Sequence, residues 1–163
     1  MDFFRPDELS DDHTPIMPVL KYVHDEYVRR GYIFDQVWSL MPTSPFLEVE
    51  DLIEVEKLFV RSGSKCSLWG VSEYQAPVEW AFTRAEDGRL VPVQPGKFAI
   101  RSQDLETKYY DVGSFALFSA KTVIESHGSG RDDRYMGYIL PKHKAIDIDT
   151  LDDWVFAEAL YKG

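Results

Sequence analysis

Residues 33–61, IFDQVWSLMPTSPFLEVEDLIEVEKLFVR, pass from a strand pattern to a helix pattern across a proline turn, and this passage decides the fold class. Residues 33–41 half alternate and half run continuously apolar, which predicts a strand, and a central one. The strand stops at Pro42-Thr43-Ser44-Pro45, because proline has no N–H to give to a sheet ladder. A helix is predicted over about 48–61. It is acidic at its start and carries Arg61 and then Gly63 at its end, as the helix dipole and C-cap preferences ask.

The same alternation extends in both directions. Upstream, residues 1–15 read as a loop, and Ile16, Val19, Leu20, Val23 and Tyr27 recur at helical spacing, giving a helix over about 16–30 closed by Gly31. Downstream, 65–71 (KCSLWGV) predicts a short strand. Asp87-Gly88 between WAFTRA and RLVPV signals a hairpin within 76–100, which prolines 77, 92 and 95 make a protruding or edge element. Strands are expected at 112–118 (VGSFALF), 136–140 (MGYIL) and 144–149 (KAIDID). A short helix near 119–126, a polar loop SHGSGRDD and a final helix at 151–161 complete the series. The expectation is one α/β domain over 1–163, with a layered sheet. Folds of this kind open with a strand and a glycine-rich phosphate loop, and no such loop occurs in the sequence.

Composition narrows the function. The 163 residues are 44% hydrophobic and 14% aromatic, which suits a packed domain. No apolar run approaches the roughly 20 residues of a membrane span, and the acidic start MDFFRPDELSDD does not read as a leader. With 28 acidic against 18 basic residues the formal charge is −10, so the basic footprint of a nucleic-acid binder is missing. A small anionic substrate stays compatible, because a few placed cations or a metal outweigh the overall field locally. The single Cys66 excludes an internal disulfide framework and suits a reducing, cytoplasmic setting.

Three segments could carry chemistry. In a strand, Asp147 and Asp149 share a face, and paired carboxylates at a strand end can hold Mg²⁺ together with substrate phosphates. The plainer reading is a solvated strand face followed by a helix capped by Thr150 and Asp153. In 98–115, Arg101 offers a fixed fork for a carboxylate or phosphate. Ser102, Gln103 and Asp104 crowd polar groups beside it, Tyr109, Tyr110 and Phe115 offer flat surfaces for a sugar ring, and Gly113 admits close backbone approach. A salt-bridged surface arginine with core aromatics reads equally well. Thr43 and Ser44 follow a strand's carboxyl end, where α/β sheets bind ligands, or simply cap the next helix. The histidines at 13, 24, 127 and 143 show no metal or triad spacing.

These segments occur in one order: RPDELSDDHTP, LMPTSPF, RSQDLETKYYDVGSF and KAIDIDTLDDWVFAEALY. In that order they resemble successive blocks of the acylneuraminate cytidylyltransferase family, with the RSQD block most like its pseudaminic acid branch. The resemblance implies a three-layer, mostly parallel Rossmann-like sheet with a protruding hairpin, and a reaction joining CTP to a nonulosonic (sialic-acid-like) sugar with release of pyrophosphate. It implies Mg²⁺ at Asp147 and Asp149, sugar contacts from Arg101, Gln103, Thr43, Ser44 and Phe115, and a hairpin that reaches across a homo-oligomer. No catalytic residue is assigned. Against the family pattern, the first βα units and their CTP loop are absent, about sixty to seventy residues on ordinary domain scale. Met41 stands where glutamine is common, Glu79 where a basic residue is common and Ala116 where an aromatic is common. The expectation is a shortened cytidylyltransferase, not competent alone; the alternatives are a sugar-binding or assembly protein without turnover, and a D-x-D metal-dependent glycosyltransferase.

Overall fold

A computed structural model describes residues 3–126 and 135–163. The SHGSGRDD segment and His127 lie outside these residues, apart from Ser126. The elements run α1 (Ile16–Arg29), β1 (Gln36–Leu40), α2 (Val49–Arg61), β2 (Ser67–Glu73), β3 (Phe82–Arg84), β4 (Leu90–Pro92), β5 (Tyr109–Ser119), α3 (Ala120–Glu125), β6 (Tyr135–Ile139) and α4 (Leu151–Lys162). Among the described residues β3 and β4 pair as a separate hairpin, and the other strands form a four-stranded sheet in the order β1-β5-β2-β6.

Period-two alternation along β5 sorts the core onto two faces of that sheet. Phe115 and Leu117 pack with Val55 and Phe59 of α2 and Leu68 of β2. Ala116 and Phe118 point the other way, to Met17 and Leu20 of α1 and Val123 of α3. β1 does the same, with Trp38 against the α2 cluster and Val37 against the α1 cluster. Helices therefore cover both faces, as the layered expectation required.

Three expectations are corrected. The sheet is mixed rather than mostly parallel: β5 runs antiparallel to both β1 and β2, and only β2–β6 is a parallel pair among the described residues. The cause is the hairpin excursion. Residues 74–108 leave and return at the same end of the sheet, with Tyr74 N bonded to Lys108 O at 3.0 Å, so β5 must come back beside β2 in the opposite sense. The second correction is β1, expected to be central, which forms one edge of the described sheet. The third is 144–149, expected to be a strand, which is irregular chain with a backbone tie from Ile148 N to Thr43 O at 3.0 Å.

One break in the ladder shapes the site. The β2–β5 pairing jumps from Trp69–Ala116 to Val71–Asp111, so β5 bulges across Val112–Phe115 opposite Gly70. A Cβ at Gly70 would strike Ser114 Oγ and the Phe115 ring, which is why the bulge needs glycine across from it. Gly113, inside the bulge, has φ +72°, a left-handed conformation that costs other residues strain.

The final helix is unlike the others. Of α4, Ala157 is buried, while Leu151, Trp154, Val155, Phe156 and Tyr161 are exposed. Leu90, Val91 and Val93 of the hairpin are exposed as well. No helix among the described residues is long and apolar enough to cross a membrane.

Candidate functional site

Three chain segments converge where β1 ends beside the bulge of β5. The Thr43-Ser44 turn follows β1 and is tied to β5 through Met41 N to Ser114 O at 3.0 Å, and to the 144–149 segment through Thr43 O and Ile148 N. The bulge of β5 brings Gly113 against Asp147: a Cβ on Gly113 would lie 2.9 Å from Asp147 Oδ2. The glycine is thus required twice, for its φ and for the room it leaves the carboxylate.

Asp147 is half-buried, and its Oδ1 is a buried oxygen with no hydrogen-bond partner. A buried carboxylate oxygen without a donor is costly, and a cation is one way to satisfy it. Its neighbour on the other side is Asp111, which sequence reasoning did not single out. Asp111 Oδ1 accepts the Gly113 N–H at 2.9 Å. Desolvation raises the Asp111 carboxyl above its ordinary value; the Gly113 N–H pulls the other way, and the negative charge of Asp147 adds to the rise. Two carboxylates whose charges oppose each other beside a glycine make this part of the surface locally negative. The readable signal was Asp-Val-Gly inside a strand pattern, since glycine there marks a bulge.

The other expected site residues are distributed as follows. Asp149 is exposed, and its backbone N–H reaches Asp153 Oδ2 at 3.3 Å, as part of the α4 cap in which Thr150 and Asp153 form the foreseen capping box. Ser44 is buried, and its Oγ has no partner, a second orphaned oxygen in the turn beside 148. Thr43 is half-buried beside it. Phe115 is 2% exposed and belongs to the core, where its ring meets Trp38 and Tyr138, so it presents no open face to a sugar here. Arg101 donates a fork to Asp104, with Nε to Oδ2 at 2.8 Å and Nη2 to Oδ1 at 3.1 Å. Both side chains are exposed, and Gln103 lies in the same short 3₁₀ turn, Ser102–Asp104. That turn sits by the hairpin, where Trp80 Nε1 donates to Ile100 O and Phe98 packs on Trp80 and Phe82. The structure therefore brings Thr43, Ser44, Asp111, Gly113 and Asp147 together, and leaves Arg101 and Gln103 on the hairpin side.

A cluster next to the cleft was also missed. Lys144 Nζ lies 2.6 Å from Glu48 Oε2 and 2.8 Å from Asp51 Oδ2, at the start of α2. The Tyr138 hydroxyl donates to Asp51 Oδ1 at 3.2 Å, and Glu48 N donates to Asp51 Oδ2 at 3.0 Å. Burial alone would raise the Asp51 carboxyl. The Lys144 hydrogen bond, the Glu48 N–H, the Lys144 charge and the Tyr138 hydroxyl together hold it below its ordinary value. Hydrogen bonds from Lys144 to Asp51 and Glu48 hold the ammonium well above its usual range.

Comparison with known proteins follows the same lines. Two pseudaminic acid cytidylyltransferases of Campylobacter jejuni, from serotypes O:2 and O:23/36, are each 29% identical over 160 residues, 98% of this chain and 68% of the relative. The CMP-N,N'-diacetyllegionaminic acid synthase of Legionella pneumophila is 26% identical over 164 residues, 97% of this chain and 67% of the relative. No protein-family model matches the chain. Along nearly its whole length the chain is thus similar in sequence to cytidylyltransferases. More narrowly, these similarities agree with the resemblance of its motifs to the acylneuraminate cytidylyltransferase family.

Proposed function

We propose that the cleft between the Thr43-Ser44 turn, the β5 bulge and Asp147 holds Mg²⁺ and a nonulosonic acid of the pseudaminic type, for transfer of a cytidylyl group from CTP. The observation that carries this reading is the buried, partnerless Oδ1 of Asp147, whose carboxylate lies against Gly113 in the β5 bulge, two residues from Asp111. A hard cation fits that donor set, because Mg²⁺ takes one or two carboxylates and fills its remaining positions with water and phosphate oxygens. Among the described residues no group of three or more acidic, histidine or cysteine side chains forms a complete metal cage.

Asp147, with Asp149 two residues on, would hold the ion. When bound, it supplies neutralisation of the triphosphate and acidifies an attacking hydroxyl. The chain's own groups then position the sugar. Thr43 Oγ1, on the half-buried residue of the turn, orients a sugar hydroxyl, with the buried Ser44 beneath it. Arg101 and Gln103 reach a sugar carboxylate from the hairpin side of a second copy, Arg101 by exchanging its exposed Asp104 partner for the substrate. The exposed apolar residues of α4 and of the hairpin are the surface of that homo-oligomer.

The test is pyrophosphate release from CTP with Mg²⁺ and a panel of nonulosonic acids, alongside calorimetric titration of the chain with each sugar, CTP and UDP-sugars. Binding of pseudaminic-type acids in a Mg²⁺-dependent manner, lost in Asp147→Asn, is expected. Binding of UDP-sugars with Mn²⁺ and none of nonulosonic acids refutes the reading. Light scattering that finds a monodisperse monomer refutes the oligomeric part.

A further inference from the structure

The segment 144–149 carries Asp147 and Asp149 but has no sheet ladder around it. Carboxylates on such a segment grip a cation only if something else fixes their backbone. Two ties do so. Ile148 N donates to Thr43 O at 3.0 Å, and Lys144, three residues before Asp147, places its ammonium between Glu48 and Asp51. Asp51 is 6% exposed and the Lys144 side chain 15%, so this pair is shielded from water. Residues 41–48 lead directly into α2, and one helix end therefore steadies the Thr43-Ser44 turn from one side and the Asp147 segment from the other.

We infer that Lys144 is a positioning residue, locking segment 144–149 to the start of α2 so that Asp147 keeps its place against Gly113. This inference rests on the reading of Asp147 as a cation ligand. Helix capping does not account for the lysine, since Asp51 already accepts the Glu48 N–H without it. Stability alone does not call for an ion pair here, because replacing both partners of a shielded pair by apolar side chains of similar volume costs little or gains, although removing one partner alone is costly. What an ion pair adds over an apolar contact is a defined geometry. Lys144 enforces that geometry three residues from the carboxylate that needs it.

The experiment is titration of the whole chain with MgCl₂ by calorimetry, in wild type, Asp147→Asn, Lys144→Met and Lys144→Arg, with folding checked by near-UV circular dichroism. Lys144→Met is expected to weaken Mg²⁺ binding about tenfold, the lower end of what loss of a ligand-orienting partner costs. Lys144→Arg keeps the charge and both carboxylate partners and is expected within about twofold of wild type. Where Lys144→Met does not fold, Glu48→Gln takes its place: it removes the exposed arm alone, and two- to threefold weaker binding supports the inference. Folded Lys144→Met, or Glu48→Gln in its stead, with an unchanged Mg²⁺ affinity overturns it, as does equal weakening by Met and Arg. A wild type that takes up no Mg²⁺, or an Asp147→Asn variant that binds as wild type does, refutes the cation reading and this inference with it. Loss in Asp147→Asn together with an intact Lys144→Met refutes the positioning role alone.

Discussion

Lys144→Met should also cost stability, by an amount that burial sets rather than distance. The Lys57–Glu54 pair on α2 is 2.8 Å long, as is Lys144–Asp51, but its side chains are each 53% exposed. Pairs in that setting contribute little, because water already solvates both ions. The Lys144–Asp51 side chains are 15% and 8% exposed, and a charge-assisted hydrogen bond so shielded contributes about 2 kcal/mol. The Lys144–Glu48 arm ends on a carboxylate that is 62% exposed and adds only about 0.5 kcal/mol. The sum is about 2.5 kcal/mol, equivalent to a fall in Tm of about 5–10 °C for a chain of this size.

Chemical denaturation of wild type, Lys144→Met, Asp51→Asn and the double variant measures it. The coupling between Lys144 and Asp51 should be about 2 kcal/mol, while Lys57→Met leaves the midpoint unchanged within error. The pH profile carries a sign. Asp51 is held below its ordinary value when folded, so its contribution is fully present above the usual carboxylate pKa of about 4 and is lost as pH falls through the lower folded value. Lys144 is held above its ordinary value, so its contribution is present below about pH 10.4 and is lost as pH rises through the folded value. Between those limits the difference between wild type and Lys144→Met is flat. A loss under about 0.5 kcal/mol, the surface-pair range, or a coupling near zero refutes the reasoning.

Asp111→Asn is expected to raise Tm in metal-free buffer at neutral pH. The folded carboxyl lies above its ordinary value, so ionisation opposes folding as pH rises through it, and Asn still accepts the Gly113 N–H. The gain should vanish at acid pH, and the Mg²⁺-induced rise in Tm should shrink, both read by thermal scans. Gly113→Ala forces a side chain onto φ +72° and a Cβ to within 2.9 Å of Asp147 Oδ2; it should cost about 1–2 kcal/mol and weaken Mg²⁺ binding, seen by denaturation and calorimetry. Thr150→Ala removes the α4 cap and should cost about 1 kcal/mol by the same denaturation assay.

Helices and strand positions were largely readable because burial imposes its period on the sequence. Ile16–Arg29, Val49–Arg61 and Leu151–Lys162 fall within a residue or two of where spacing, charge and caps put them. Strand order and direction were not readable. A half-continuous apolar run at 33–41 says that both faces are covered, which holds for β1, but not how many neighbours it has. The inversion of β5 is set by where the 74–108 excursion ends, a property of tertiary packing. Alternation misled at 144–149: Ile146 is buried and Asp149 exposed as a strand would have them, yet the alternation reflects sidedness against the core and needs no ladder partner.

The candidate site follows the same division. Asp147 and Ser44 were visible because their neighbours in sequence are distinctive, whereas Asp111 and Lys144 owe their places to contacts across the sheet. Phe115 looked like a sugar platform in a row of aromatics, but β5 alternates and turns it inward against Trp38. Regular sheet pairs every backbone group and points side chains to alternate faces, so a side chain's face is fixed by its register. The bulge at Val112–Phe115 sets Gly113, with no side chain, against Asp147, and the ladder-free chain at 144–149 lets Asp147 approach it. Both departures cost pairing energy, and each is held by a specific partner, Gly70 across from the bulge and Lys144 at the start of the segment. The places where the strand pattern fails are therefore the places where the cleft is built.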